Sequence, residues 1–152
     1  PPEKDIQWSD QGMNASYKFL QKLWTLHQKI LIKTVKKNFE GNQNKYDLEI
    51  SKFTNQLINK VTNNLERFHY NGIIANLYEA YNFYIKIVEF DLNVVSLKKE
   101  YIKFLYLMAP VIPHFASECL DTMKNHDEIK WPKIEQKFLE DENIKIVVQI
   151  LL

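Results

Sequence analysis

The chain has 152 residues, of which 45% are hydrophobic and 26% are charged, and its formal net charge is +1. This size and balance predict a single globular domain and argue against a disordered chain. No apolar run approaches the roughly 18 residues that span a bilayer, and no signal peptide begins the sequence, so we expect a cytoplasmic protein without membrane contact.

The first predicted helix runs from about Met13 to Phe39, after a cap at Ser9 or Asp10 and before Gly41. One side of this helix repeats apolar residues at spacings of three and four, which is typical of a face packed on a core. That side consists of Met13, Tyr17, Leu20, Leu23, Trp24, His27, Ile30, Leu31 and Val35. We expect His27 to be a core histidine whose hydrogen bonds are satisfied.

The opposite side of the first helix is strongly basic. Between Asn14 and Phe39 the sequence contains no Asp or Glu but six lysines, namely Lys18, Lys22, Lys29, Lys33, Lys36 and Lys37. The remaining residues have 14 basic against 19 acidic side chains, so the positive charge is concentrated on this helix. Lysines four residues apart repel each other by about 0.2 to 0.5 kcal/mol, which favours a functional role over an ordinary solvated face. A polyanion is the predicted partner.

Four further helices are predicted, which gives an all-α bundle of about five helices. Asp47 and Asn71 are the predicted amino-terminal caps of the second and third helices, and Ser96 is predicted to open the fourth. Prolines break the fourth helix after Met108, and the fifth begins near Pro113. The eight tyrosines and nine phenylalanines mostly have helical core spacing, so we expect them to pack rather than to stack on exposed bases.

The end of the sequence has a different pattern. Trp131 is predicted to anchor an extended segment that returns over the bundle. Beyond it, a period of two predicts a strand with Ile144, Ile146, Val148 and Ile150 on one face. A lone strand is not stable by itself, so this strand is expected to pair with residues outside the chain.

No catalytic, cofactor-binding or metal-binding residue is predicted. The three glycines lie too far apart to form a phosphate-binding loop. His114, Cys119 and His126 do not form the CxxC or HxxxH pairs that are typical of metal sites. The single cysteine, Cys119, cannot form an internal disulfide and is expected to pack as a small apolar residue.

Three stretches of the chain resemble bacterial-type leucyl-tRNA synthetases. They are PPEKDIQWSDQGMNASYKFLQKLW at residues 1–24, LERFHYNGIIANLYEAYNFY at 65–84 and LYLMAPVIPHFASECL at 105–120. The first lies where the catalytic domain of that family passes into a helical tRNA-binding bundle. The order and spacing of the stretches match along nearly the whole chain.

The individual motifs differ in how specific they are. The APxxPH run at residues 109–114 is shared with the valyl and isoleucyl enzymes, and therefore indicates only the class I synthetases. The opening PPE, together with Trp8, Ser9 and Gly12, favours the leucyl family. Neither the HIGH-type nor the KMSKS-type ATP-binding signature of class I synthetases is present in the sequence.

The resemblance implies an anticodon-binding-type bundle that docks leucine tRNA through its backbone and shape, with little base readout. In that family, basic residues of the first helix contact the tRNA backbone, and the aligned positions are Lys18 and Lys22. We expect Lys29 and Lys33 to neutralise phosphates with them, so that affinity falls steeply with salt. The role of Arg67, the only arginine, stays open between an acidic neighbour and RNA.

The resemblance also implies a parent enzyme, expected to be monomeric, whose catalytic and editing domains use ATP and magnesium outside this chain. Residues 1–12 would be a linker from the catalytic domain, 13–125 the bundle, and 126–152 a segment leading to a C-terminal domain. Two alternatives stay open. The first is the equivalent domain of a valyl or isoleucyl enzyme, and the second is a helical module that binds an acidic protein.

Overall fold

A computed structural model describes residues 8–36, 45–125 and 128–139. Five α-helices follow one another in these ranges, and they are α1 (Asp10–Lys36), α2 (Lys45–Glu66), α3 (Tyr70–Ile87), α4 (Val94–Met108) and α5 (Pro113–Thr122). Residues 128–135 are extended and lead into a short 3-10 helix, Gln136–Phe138. The predicted all-α bundle is therefore confirmed. The strand predicted at 144–150 and the helix end predicted at Gly41 lie outside the described residues.

The hydrophobic core lies between α2, α3 and α4, with α1 packed against α3 and α4 and α5 packed against α4. Tyr84 and Phe104 are fully buried at its centre, where their rings stack at 5.2 Å. The predicted apolar side of α1 is buried only in part. Met13, Tyr17, Trp24 and Val35 are 52%, 62%, 38% and 74% exposed, so α3, α4 and α5 do not cover this side along its whole length.

Three of the predicted amino-terminal caps are wrong, namely those of α2, α3 and α4. Asp47 does not cap α2, because it lies inside the first turn and is fully buried. Its Oδ1 atom accepts a hydrogen bond from the backbone N–H of Asn93 at 3.0 Å. Asn93, rather than Ser96, is the cap of α4, since its side-chain oxygen accepts from the N–H groups of Val95 and Ser96.

The third correction concerns α3, which begins at Tyr70. The predicted cap Asn71 therefore lies within the helix. The residue at the cap position is His69, and its side chain makes no capping hydrogen bond. The cap predicted for α1 is confirmed at Ser9, whose Oγ accepts a hydrogen bond from the N–H of Gly12 at 3.2 Å.

The turn from α2 into α3 has a left-handed residue, Phe68, with φ at 55°. The N–H of Phe68 donates to the carbonyl of Leu65 at 3.1 Å, and the N–H of His69 donates to that of Asn64 at 2.8 Å. This pair of bonds defines a Schellman motif, in which glycine is the usual left-handed residue. The turn also brings α3 close to α2, because a Cβ atom on Gly72 would lie 2.8 Å from the Asn64 side chain.

A second Schellman motif ends α5. Lys124 has φ at 54°, and its N–H donates to the carbonyl of Asp121 at 2.9 Å. The N–H of Asn125 donates to the carbonyl of Leu120 at 3.0 Å. The same backbone conformation therefore occurs at two helix ends, once with phenylalanine and once with lysine.

The extended segment after α5 returns over the bundle, as predicted, and it packs against α2. The indole N–H of Trp131 donates to the hydroxyl of Thr62 at 2.9 Å, which confirms Trp131 as an anchor. The backbone N–H of Glu135 donates to the side-chain oxygen of Asn55 at 2.7 Å, and Ile134 packs against the core. These contacts hold the segment on the side of α2, whereas α1 packs against α3 and α4.

Candidate nucleic-acid interface

The amino-terminal part of α1 is exposed to solvent. All residues from 8 to 18 are exposed, and the first buried side chain is Phe19, whose ring stacks on Tyr78 of α3 at 3.6 Å. Lys18 and Lys22 lie one turn apart on the outer side of this part of the helix, and both are exposed. Neither lysine makes an ion pair or a hydrogen bond with a residue in the described ranges. Their ammonium groups are therefore open to a ligand.

Lys29 lies on the same side of α1 but has an acidic neighbour. Its Nζ atom is 3.1 Å from Oε1 of Glu89, and the two side chains are 48% and 66% exposed. Exposed ion pairs of this kind contribute about 0 to 1 kcal/mol. Lys29 can therefore exchange Glu89 for another anion at little cost.

Lys33 has a structural role in addition to its charge. Its Nζ atom donates to the backbone carbonyls of Val88 and Phe90, which follow the carboxyl end of α3. A cation at this position satisfies carbonyls left free at the end of the helix and interacts favourably with the helix dipole. The lysine ties α1 to α3, and its hydrogen bonds are directed inward.

The basic residues form a row rather than a pocket. At about 100° per residue, Lys18, Lys22 and Lys29 lie within about 40° of one another around the α1 axis and span roughly 16 Å along it. We call these three residues the lysine row. A row of exposed ammonium groups is suited to an extended polyanion such as a nucleic-acid backbone. It provides no enclosed site for a small molecule.

The exposed aromatic side chains were missed by the sequence reasoning, which expected the aromatics to pack. Tyr84 is buried as expected, but Tyr70, Ile74 and Tyr78 follow one face of α3 and are 43%, 38% and 38% exposed. Because Tyr78 stacks on Phe19, this face borders the basic part of α1. The signal in the sequence was the run ERFHY at residues 66–70, which concentrates basic and aromatic residues in a turn between helices.

His27 lies in the core, as predicted, and takes no part in this surface. The Thr122 hydroxyl donates to the Cys119 carbonyl at 2.9 Å, so it can accept from Nε2–H of His27 at 2.7 Å. The other ring nitrogen, Nδ1, then accepts from the Tyr101 hydroxyl at 3.2 Å. Burial lowers the pKa of His27 to about 4, so the imidazole is neutral at pH 7.

The described residues offer no reactive thiol or metal cluster. Cys119 is fully buried, as predicted, and burial raises its pKa to about 12, which keeps it protonated. No group of three or more His, Cys, Asp or Glu side chains in the described ranges could hold a metal ion. None of the helices in these ranges has the length and apolar character needed to cross a bilayer.

Comparison with known proteins gives consistent matches. A family model described as the anticodon-binding domain of tRNA ligase matches residues 47–152. A leucine–tRNA ligase of Orientia tsutsugamushi is 34% identical over 155 residues, and one of Geotalea daltonii is 33% identical over 167 residues. Each alignment covers 99% of this chain but only 17% and 19% of the relative. The chain thus spans less than a fifth of the length of these relatives.

One solved structure is also similar to this chain over most of its length. It is the crystal structure of the agnB2 LeuRS of Agrobacterium radiobacter in a ternary complex with tRNA and LeuAMS. It matches with a TM-score of 0.77 and 25% identity, over 91% of this chain and 18% of the other. The helical architecture is therefore that of one segment of a much longer chain.

Proposed function

Because the chain belongs to the family of anticodon-binding domains of tRNA ligases, we propose that it holds leucine tRNA for a leucine–tRNA ligase. The relatives at 34% and 33% identity are leucine–tRNA ligases, which supports leucine over other amino acids. Catalytic, editing and C-terminal domains of the same parent enzyme would act on the tRNA, and leucine activation with ATP and magnesium would occur there. We expect this enzyme in the cytoplasm.

The observation that carries the proposal is the exposure of Lys18 and Lys22. Each can approach a phosphate and displace condensed counterions, which makes binding strongly dependent on salt and insensitive to base sequence. A lysine contributes a point charge, without the bidentate geometry of arginine, so the contact holds the backbone but orients it weakly. Shape then decides which tRNA fits, as is usual for structured RNA.

The other two lysines contribute unequally to this mechanism. Lys29 can join Lys18 and Lys22 after releasing Glu89, because the ion pair is exposed and weak. Lys33 adds positive charge to the field of α1 while its hydrogen bonds stay with Val88 and Phe90. Replacing Lys33 would therefore disturb the fold as well as the charge, which makes it unsuitable as a test of RNA contact.

The first prediction is that changing Lys18 and Lys22 together to alanine weakens binding of a leucine tRNA transcript at least tenfold near 0.1 M salt. The slope of log affinity against log salt should become less steep by about two, because two phosphate contacts are lost. Filter binding or fluorescence anisotropy at several salt concentrations would measure both quantities.

A matched control removes the same charge elsewhere. Lys130 and Lys133 are both exposed, in the extended segment that packs against α2. Changing both to alanine should alter affinity less than about threefold. Equal losses from the two pairs would mean that only the total charge matters, and the proposed interface would be wrong. Competition with valine tRNA and with an acidic peptide would separate the leucine proposal from the two alternatives.

A further inference from the structure

The turn between α2 and α3 exposes a compact group of aromatic and basic side chains. We call Arg67, Phe68, His69 and Tyr70 the α2–α3 tip. All four residues are exposed, and the rings of Phe68 and Tyr70 meet edge to face at a centroid distance of 6.4 Å. Arg67 makes no ion pair with any residue in the described ranges, although Glu66 precedes it directly. The only guanidinium of the chain is therefore available.

Phe68 is unfavourable for folding at its position. A left-handed backbone is disfavoured for residues with a Cβ atom, and glycine is the usual residue in a Schellman motif. The side chain does not repay this strain by packing, because it is 59% exposed and does not belong to the core. A large ring that weakens the turn and avoids the core points to a ligand outside the bundle.

The position of the tip relative to the lysine row follows from contacts between α1 and α3. Phe19 contacts Tyr78, and Lys29, further along α1, contacts Glu89, which lies just after the end of α3, so α1 and α3 run in the same direction. Tyr70 lies eight residues before Tyr78, or about 12 Å at the helical rise. The tip therefore lies at about the level of the first turn of α1, at the same end of the bundle as Lys18, the first residue of the lysine row.

We propose that the α2–α3 tip is a base-binding platform, on which an unpaired RNA base stacks against Phe68 while Arg67 binds an adjacent phosphate. This inference depends on the proposed function, since it assumes that the ligand of the lysine row is RNA. Aromatic rings beside a cation are the combination that holds unstacked bases, and the stacking is tolerant of base identity. Arginine supplies the two-pronged phosphate contact that the lysine row lacks. The lysine row would bind the RNA backbone, and the α2–α3 tip would bind an unpaired base in an RNA loop.

The chain offers a matched pair of variants to test the platform. Phe68→Gly and Lys124→Gly both place glycine in a left-handed Schellman position, where it relieves backbone strain. Lys124 lies two residues after Thr122, and Thr122 contacts His27 in the middle of α1. Lys124 is therefore away from the α2–α3 tip. Both variants should unfold about 2 to 4 °C higher than the wild type, as measured by circular dichroism of the 152-residue chain.

Binding should separate the two variants. Phe68→Gly should weaken binding of the leucine tRNA transcript at least fivefold, because a lost base–ring stack has an effect of about this size. Its salt slope should stay that of the wild type, since no phosphate contact is removed. Lys124→Gly should change affinity less than about twofold. Phe68→Trp should retain binding, whereas Phe68→Leu, which is apolar but cannot stack in the same way, should not.

A fully double-stranded RNA of similar length distinguishes stacking from charge. It has no unpaired base, so Phe68→Gly should bind it as the wild type does, whereas the Lys18 and Lys22 double variant should still be impaired. If Phe68→Gly is more stable and binds tRNA normally, the tip is not a base platform, and a protein surface is its better partner. If the wild type binds neither RNA, the proposed function itself fails. The two failures are thus distinguishable.

Discussion

The buried imidazole of His27 links the stability of the bundle to pH. Its pKa falls from an ordinary 6.5 to about 4 in the fold, because burial disfavours the charged form. Between these two values the unfolded chain binds more protons than the folded one, so the free energy of unfolding decreases as pH falls from 6.5 towards 4. We expect a loss of roughly 1 to 2 kcal/mol from this residue between pH 6.5 and 5.

Replacing the imidazole tests this linkage. His27→Gln keeps a hydrogen-bonding side chain but cannot be protonated, so it should be less stable than the wild type at pH 7 and lose less stability on going to pH 5. Urea unfolding followed by circular dichroism at both pH values would measure the difference. Parallel pH profiles for the wild type and His27→Gln would contradict the assignment.

At the scale of single residues, the sequence predicted burial better than it predicted partners. His27 was expected in the core and lies there, because the helical period alone places it on the inner side. Lys18 and Lys33 have the same periodicity, yet one is open to solvent and the other is bonded to the end of α3. Periodicity describes one helix and contains no information about which neighbour reaches each side chain.

Lys103 of α4 lies between a buried carboxylate of the same helix and a glutamate of the extended segment. Glu100 is only 2% exposed, its Oε1 atom is 3.0 Å from Nζ of Lys103, and Lys103 also lies 3.5 Å from Glu135 of the segment. Burial raises the pKa of Glu100, and the hydrogen bond from Lys103 opposes this rise. Lys103 therefore stabilises the ionised form of a side chain that is poorly placed to be charged.

Removing the cation should reveal the unfavourable burial of Glu100. We expect Lys103→Met to lower the free energy of unfolding at pH 7.5 by about 3 kcal/mol, because the buried carboxylate loses its partner. This loss should become smaller as the pH is lowered towards 5, because the raised pKa of Glu100 lets it take up a proton more readily than an ordinary glutamate. Denaturant unfolding at the two pH values would measure it.

Lys99 provides the control for this element. It is 64% exposed and 4.0 Å from the same carboxylate oxygen of Glu135, so Lys99→Met should change stability by less than about 0.5 kcal/mol. If both variants lose the same amount at both pH values, the buried position of Glu100 is not responsible.

At the scale of helices, number and order were predictable, but the ends were not. Each of the five helices was found because its apolar period is long and clear. The cap of α4 was placed at Ser96 instead of Asn93, and Asp47 was taken for a cap because Asp is a preferred residue at that position. In the fold, Asp47 accepts a hydrogen bond from the backbone N–H of Asn93, and the side chain of Asn93 caps α4. A sequence pattern cannot show that two helix starts share one hydrogen-bond network.

The whole molecule has a formal net charge of only +1, but its basic and acidic side chains are unevenly distributed along the sequence. Its family and helical fold were predictable, since the matching stretches extend along nearly all of the sequence. The exposed start of α1 and the exposed tip were not, because exposure depends on how neighbouring helices pack on each other. That packing decides which part of the bundle is open to a ligand.

Position rather than net charge should therefore govern RNA binding. At 0.1 M salt, charges separated by more than about 10 Å are largely screened from each other, so distant charges compensate poorly. A variant that combines Lys18→Gln and Lys22→Gln with Glu49→Gln and Glu128→Gln keeps the formal charge of +1, and both glutamates are exposed. We expect its tRNA affinity to match that of the lysine double variant. The two glutamate changes alone, which raise the net charge, should improve affinity less than threefold. Recovery of wild-type affinity in the fourfold variant would show that total charge, and not the lysine row, attracts the RNA.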